Sequence, residues 1–110
     1  MYEYKALVTK VYDADTITVD IDLGFGVVLK KQKIRLKGIN APEVRGAERK
    51  LGIISRDELR KRILDKQVII KTYRDKKGKY GRWLASVHVS GSDESINDWL
   101  IKEGLAEIYK

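Results

Sequence analysis

Two acidic side chains near the N-terminus are the first residues of this sequence with an arrangement suited to chemistry. Asp13 and Asp15 flank Ala14. Residues two apart in an extended chain point to the same side, so the two carboxylates can converge. Carboxylates held this close repel each other unless a cation lies between them, and they suit a hard metal ion. Because Asp is also common in ordinary turns, a purely structural turn is the alternative for this pair.

A third carboxylate, that of Glu43, directly follows Pro42. The proline restricts the backbone, so the carboxylate is held in a defined direction. Near a bound metal and its water, such a group would act as a general base or orient the nucleophile. The structural alternative is a helix start, where Pro and Glu are ordinary residues.

Two arginines offer the complementary charge. Arg35 lies between Ile34 and Leu36 in a strand-like segment and is predicted to face away from them, and Arg82 follows a glycine. A guanidinium presents a planar fork of donors that matches phosphate oxygens and stays charged. Two guanidinium groups aimed at one phosphate would stabilise a pentacovalent transition state. In a chain this basic, two unrelated surface arginines are the alternative.

A cation and an aromatic ring, Lys79 and Tyr80, precede Arg82. A nucleic-acid base could stack on the ring while the lysine contacts a phosphate. Packing of Tyr80 into the body of the domain is the alternative. The single histidine, His88, excludes a histidine-based metal site and a Ser-His-Asp triad.

The composition limits the class of protein. A length of 110 residues predicts one domain, residues 1–110, and the 43% hydrophobic and 35% charged residues exclude a disordered chain. The formal net charge of +7 and a pI near 9.6 favour a polyanionic partner. The absence of cysteine excludes disulfides, thiolate catalysis and cysteine-bound zinc.

Targeting signals are not evident in the sequence. No apolar run approaches the roughly 20 residues that span a bilayer, and the first five residues have no apolar core of a signal peptide. We therefore expect no membrane partner, a monomer and a cytoplasmic location, with a secreted mature form left open.

The hydrophobic periodicity predicts five strands and two helices. The strands are predicted at 5–12, 15–22, 27–37 (as two pieces, 27–29 and 33–37), 67–73 and 82–89, and the helices at 47–64 and 95–103. The first helix has an apolar repeat at Leu51, Ile54, Ser55, Leu59 and Ile63, weakened by Gly52. Ser95 is a predicted N-cap and Gly104 a stop signal. Five strands with a helix after the third predict an α+β, mainly β fold: a five-stranded OB-fold barrel with two to three packed helices.

The order and spacing of these segments resemble the staphylococcal nuclease (thermonuclease-like) family. The matching stretches extend over nearly the whole chain and are 11–16, 34–43, 79–82, 97–100 and 103–106. The resemblance implies an OB barrel and calcium-dependent cleavage of DNA and RNA to products with a 3′-phosphate and a 5′-hydroxyl.

The resemblance also implies residue roles. Asp15 corresponds to a calcium ligand, Glu43 to the carboxylate that acts on the attacking water, and Arg35 and Arg82 to the phosphate-binding arginines. The positions beside the metal are Thr16 and Ala41, the latter through its backbone carbonyl, and Lys79 and Tyr80 are nucleotide-contacting positions. Asp13, from its spacing with Asp15 rather than from the resemblance, is an accessory candidate together with Thr16.

Three departures from the family pattern have predicted consequences. Asn40 replaces a calcium-binding aspartate, which keeps an oxygen ligand but removes a charge, so we predict weaker or altered metal binding. Ala14 replaces a glycine, which would be unfavourable if the turn needs a positive φ. Tyr109 lies near the position of an active-site tyrosine but is out of register by one, so that role is not transferred to it.

The first hypothesis is a calcium-dependent endonuclease of low sequence specificity, with the metal held by Asp15 and Asn40. The second is a catalytically inactive OB-fold module that binds nucleic acid, in which Asn40 marks a lost metal site. A binding module needs no glutamate in a phosphate pocket, so Glu43 favours the enzyme. A protein-interaction domain is a third hypothesis that no segment of the sequence favours.

Overall fold

The computed structural model describes the backbone of residues 2–77 and 82–109 and the side chains of 2–73 and 82–109. The strands are β1 (Tyr2–Asp13), β2 (Thr16–Gly24), β3 (Val27–Leu36), the two-residue β4 (Ile39–Asn40), β5 (Gln67–Lys77), β6 (Trp83–Val89) and the two-residue β7 (Glu107–Ile108). The helices are α1 (Arg49–Ile63), preceded by a 3₁₀ turn at Gly46–Glu48, and α2 (Ile96–Lys102).

Five of the strands close into a barrel in the order β1-β2-β3-β6-β5. All pairs are antiparallel except β3 with β6, which run parallel, Ile34 facing Trp83 and Leu36 facing Ala85. Closure removes the free strand edges that an open sheet would expose. This arrangement confirms the predicted α+β, mainly β OB-type barrel with helices packed against it.

The barrel core follows the period-two alternation of the strands. On β2, Ile17, Val19 and Ile21 are buried, while Thr16 and Thr18 lie on the outer face and are half-buried. The same alternation on the other strands and one face of each helix complete the core. This enclosed set of aliphatic side chains makes the barrel a rigid support for whatever lies on its outer wall.

The third strand is continuous over Val27–Leu36, whereas the sequence predicted two pieces. Lys31 has a positive φ of 57°, and the pairing shifts from Gln32 opposite Val19 to Leu29 opposite Ile21. An extra residue of this kind is a β-bulge, which breaks the side-chain alternation while the strand continues. The sequence predicted two pieces because the alternation of apolar and polar residues is interrupted at this bulge. β5 likewise extends to Lys77, past its predicted end at residue 73.

The first helix buries the C-terminal part of the predicted face, Ser55, Leu59 and Ile63, but not its N-terminal part. Its buried residues are Gly52, Ser55, Leu59 and Ile63, whereas Leu51 and Ile54 are 61% and 55% exposed, although the apolar repeat placed them on the packed face. The N-terminal half of α1 packs through small residues, so the neighbouring backbone approaches closely there and the large side chains are directed outward.

Side-chain hydrogen bonds cap α2 and tie α1 to the barrel. Ser95 caps α2 as predicted, its Oγ accepting a hydrogen bond from the Asp98 amide at 3.0 Å. Arg60 on α1 donates from Nη2 and Nε to the Val11 carbonyl at 3.1 and 3.3 Å.

Within the described residues, no helix is long and apolar enough to cross a bilayer.

Buried Asn97 on α2 organises the chain after β3. Its Nδ2 donates to the Lys37 carbonyl at 2.8 Å, and its Oδ1 accepts from the Val87 amide on β6 at 3.0 Å. The segment that leads from β3 to Asn40 is therefore fixed by a side chain nearly sixty residues away along the chain.

Candidate functional site

A cavity of about 710 Å³ opens on the outer face of β1, β2 and β3, beside the loop that follows β4. Asp15, Arg35, Glu43 and Arg82, which are far apart in sequence, all line it. The other lining residues are Lys10, Tyr12, Asp13, Thr16, Thr18, Lys33, Asn40, Ala41, Val44 and Arg45. The acidic and guanidinium groups singled out from the sequence thus meet in one place.

Asp15 is the buried centre of the site. Its Oδ2 accepts the Ala41 amide at 2.8 Å and lies 3.3 Å from Arg35 Nη1, while its Oδ1 accepts the Thr16 hydroxyl at 3.0 Å. A carboxylate has about four acceptor positions, and these contacts use three. The side chain of Asp13 also hydrogen-bonds to Asp15.

Arg35 reaches the site from β3. Ile34 and Leu36 on either side of it are buried in the barrel, so Arg35 points outward as predicted. Besides the Asp15 contact, its Nη2 donates to Asn40 Oδ1 at 3.4 Å, and its guanidinium carbon lies 5.8 Å from the centre of the Tyr109 ring. Its Nη1 also donates to the Leu36 carbonyl at 3.4 Å, so four neighbours hold the guanidinium of Arg35 at the edge of the cavity.

Thr16 joins the second guanidinium to the same carboxylate. Its hydroxyl donates to Asp15 Oδ1 and accepts from Arg82 Nη1 at 3.3 Å. Arg82, Thr16, Asp15 and Arg35 therefore form one continuous hydrogen-bonded chain, with a guanidinium at each end. Two guanidinium groups joined through one carboxylate suit the binding of an anion that has several oxygens.

Asp13 is buried and turned toward the Asp15 backbone. Its Oδ1 accepts the Asp15 amide at 3.1 Å, the geometry of an Asp-stabilised turn. Burial, together with the side-chain hydrogen bond to Asp15 and the repulsion of that carboxylate, raises the pKa of Asp13 from 3.8 to about 7. Asp13 therefore stabilises the turn, which is the structural role that the sequence analysis gave as the alternative for Asp13 and Asp15.

Glu43 is exposed and lies on the loop between β4 and α1. The backbone carbonyl of this residue packs directly against Gly52 of α1, where a Cβ would overlap it. The glycine that weakens the helix is thus the residue that lets α1 hold the Glu43 backbone in place.

Comparison of the sequence with known protein families identifies a family for most of the chain. Residues 33–110 match the family model described as "Staphylococcal nuclease homologue". The chain belongs to this staphylococcal nuclease homologue family.

Two relatives extend the comparison beyond the matched region. Thermonuclease of Staphylococcus intermedius is 34% identical over 91% of this chain and 56% of its own length. An uncharacterised protein of Methanocaldococcus jannaschii is 29% identical over 96% of this chain and 59% of its own length. The chain thus spans between half and two thirds of the length of these relatives.

The donor set around Asp15 is made only of oxygen. Asp15, the Asn40 side-chain carbonyl and the Ala41 backbone carbonyl are the predicted ligands, and Asn40 and Ala41 line the cavity with Asp15. Oxygen donors of this kind fit a hard divalent cation such as calcium. Among the described residues, no three Asp, Glu or His side chains lie close enough to form a metal-binding group. The set thus fits calcium in donor type but supplies little negative charge, as expected from Asn40.

Two other departures from the staphylococcal nuclease pattern are resolved by the fold. Ala14 is fully buried and is not one of the described residues with a positive φ, so the turn accepts its Cβ. Tyr109 comes within reach of Arg35 because β7 pairs with β4, Ile108 facing Ile39 and the Tyr109 amide donating to the Gly38 carbonyl at 2.9 Å.

The sequence interpretation missed six residues that line the cavity: Lys10, Tyr12, Thr18, Lys33, Val44 and Arg45. Lys33 lies two residues before Arg35 on β3, so period-two alternation alone places the two on one face. For Lys10 and Tyr12 the missing information was the strand pairing. The predicted nucleotide-contacting pair, Lys79 and Tyr80, lies outside the described residues.

Proposed function

We propose that this chain is a metal-dependent phosphodiesterase, an endonuclease that cleaves DNA and RNA and uses calcium. The observation that carries the proposal is the hydrogen-bonded chain from Arg35 through Asp15 and Thr16 to Arg82, in the cavity that Glu43 also lines. This constellation presents two fixed guanidinium groups, an oxygen-rich cation site and a solvent-accessible carboxylate to one ligand.

Phosphate binding is the first task of the site. The guanidinium groups of Arg35 and Arg82 would each donate to non-bridging oxygens of one phosphodiester. Because their neighbours already hold them, little reorganisation is needed when the phosphorus gains a fifth oxygen and its charge grows. This stabilisation acts on the transition state more than on the bound substrate.

Proton transfer is the second task, and Glu43 is suited to it. Its carboxylate would accept a proton from the attacking water while the water oxygen bonds to phosphorus. The bond between phosphorus and the 5′ oxygen breaks, the 5′ oxygen takes up a proton and leaves as a hydroxyl, and the phosphate stays on the 3′ side.

The cation would be held by Asp15, Asn40 and the Ala41 carbonyl, with Thr16 and Asp13 beside it. When bound, it supplies a Lewis acid that polarises the phosphate and lowers the pKa of nearby water. The single full charge of Asp15, which already faces Arg35, predicts a calcium affinity below that of a site with a second aspartate.

The test is cleavage of end-labelled single-stranded DNA, duplex DNA and RNA with calcium, with chelator, and by Glu43→Gln. We expect the chelator to abolish cleavage and Glu43→Gln to lower kcat by about 10² to 10⁴. Glu48→Gln is the matched control, since Glu48 is a nearby exposed glutamate that does not line the cavity. Release of inorganic phosphate from the new 3′ ends by a phosphatase checks the polarity. Cleavage that survives both the chelator and Glu43→Gln would refute this mechanism.

A nucleic-acid-binding module without cleavage is the second candidate. The amide of Asn40 at a predicted metal position, and the lack of a three-residue acidic cluster among the described residues, favour it. Salt-dependent DNA binding without cleavage in calcium, magnesium or manganese would support this candidate over the enzyme.

A further inference from the structure

A second cationic position lies beside the proposed phosphate site, one step along the same face of the sheet. In the strand pairing, Thr16 faces Arg35 in the row that holds the site. The next row along the sheet contains Lys10, Thr18 and Lys33, with Thr18 in the middle facing both lysines.

The second row opens into the same cavity as the first. Ile17 and Ile34, which precede Thr18 and follow Lys33, are buried in the barrel. Thr18 and Lys33 are therefore on the outer face, and with Lys10 they line the cavity that also contains Arg35. The two rows form one continuous surface.

The charges of the second row are available to a ligand. Lys10 and Lys33 are exposed, and none of the ion pairs found between described residues involves either lysine. The next outward residue of β2, Asp20, carries the opposite charge and accepts a hydrogen bond from the Lys31 amide at 3.0 Å. The outward residues of β2 therefore change from hydroxyl at Thr16 and Thr18 to acidic at Asp20.

The spacing of the rows suits a nucleic-acid strand. Lys33 lies two residues before Arg35 on β3, which is about 6.7 Å along the strand. Neighbouring phosphates along an extended nucleic-acid strand are separated by a comparable step. A strand with its scissile phosphate at Arg35 would therefore bring the adjacent phosphate to the second row.

We propose that Lys10, Thr18 and Lys33 form a subsite for the phosphate that flanks the scissile one. The two ammonium groups would pair with the flanking phosphate and the Thr18 hydroxyl would donate to it. The proposal rests on the proposed function, and it makes an oligonucleotide with one added phosphate the preferred substrate.

The test uses thymidine dinucleotides with a single scissile bond. The probes are TpT, the same dinucleotide with a 5′-phosphate, and the same with a 3′-phosphate, assayed in calcium for kcat and KM. We expect one of the phosphorylated forms to show a KM about tenfold below that of TpT, the effect of two charge contacts of ordinary surface strength.

The variants assign this gain to the second row. We expect Lys10→Ala with Lys33→Ala to abolish the difference in KM between TpT and the preferred form, and Lys10→Arg with Lys33→Arg to retain it. Lys61→Ala with Lys102→Ala removes the same charge from lysines on α1 and α2, which do not line the cavity, and retains the gain.

The outcomes separate the two proposals. Cleavage of all three probes with equal KM values would overturn the flanking subsite and leave the nuclease in place. A gain that persists in the double alanine variant would overturn it as well. If the unmodified protein cleaves no probe, the proposed nuclease function fails. Anisotropy of a labelled 5′- or 3′-phosphorylated dinucleotide then tests the subsite by binding alone, with the same variants and the same expected order.

Discussion

The buried carboxyl of Asp13 makes the stability of this protein depend on pH in a way that one substitution should remove. Asp13→Asn keeps a carbonyl oxygen that can accept the Asp15 amide and has no charge at any pH. It therefore imitates the protonated aspartic acid. We expect the variant to be more stable than the wild type wherever folded Asp13 or its unfolded counterpart is ionised, and increasingly so toward alkaline pH.

The sign and size follow from the raised pKa. Asp13 titrates at about 7 in the folded state, against 3.8 for the free side chain, so between these values the folded protein holds a proton that the unfolded chain has released. The stabilisation by neutral Asp13 is complete below pH 3.8, falls as the pH rises and is lost above about 7. By linkage, the advantage of asparagine should grow by roughly 3 kcal/mol between pH 4.5 and pH 8.5.

Urea unfolding at the two pH values measures this difference as a change in the free energy of unfolding. Asp22→Asn is the matched control, because Asp22 is exposed and its Oδ1 accepts the amide two residues later, that of Gly24, at 2.8 Å. The control should change stability by about 0.5 kcal/mol or less at either pH. An advantage of Asp13→Asn that does not grow with pH, or that Asp22→Asn reproduces, would refute a buried carboxyl with a raised pKa.

Three further substitutions test the supports of the site. Gly52→Ala should cost about 2 kcal/mol of unfolding free energy in urea, because its Cβ overlaps the Glu43 carbonyl and outweighs the better helix propensity; kcat should fall with it. Asn97→Ala should cost about 2 to 4 kcal/mol in the same assay, because it leaves the Lys37 carbonyl and a buried amide without their partner. Asn40→Asp should raise calcium affinity by about tenfold or more in calorimetric titration, because it adds a charge to the ligand set.

Each of these substitutions has a control in the same region or of the same kind. Ile54→Ala changes an exposed residue of the helix that contains Gly52, and Gln67→Ala removes an exposed amide side chain in place of Asn97. Ser90→Asp adds a charge at an exposed position that does not line the cavity. A stable Gly52→Ala with full activity, a neutral Asn97→Ala, or equal calcium affinities for Asn40→Asp and Ser90→Asp would each contradict the corresponding argument.

The sequence determined the features that depend on local pattern. Alternation is a property of neighbouring residues, so it identified β2, the second half of β3 and the outward direction of Arg35, although the bulge at Lys31 divided the predicted β3 into two pieces. The Ser95 cap joins residues three positions apart and was predicted for the same reason. Strand order and a helix after the third strand were sufficient for the OB-type barrel, because few closed folds accommodate that order.

The tertiary structure decided what depends on contacts between distant segments. The sequence cannot show that Gly52 supports the Glu43 backbone or that the pairing of β4 with β7 brings Tyr109 to Arg35. Nor can it show that the pairing of β1 with β2 places Lys10 at the cavity. Burial also gave Asp13 its raised pKa, although its spacing from Asp15 was visible from the start. Spacing fixes which side chains share a face, whereas distance, desolvation and close backbone approach arise only when the chain has closed on itself.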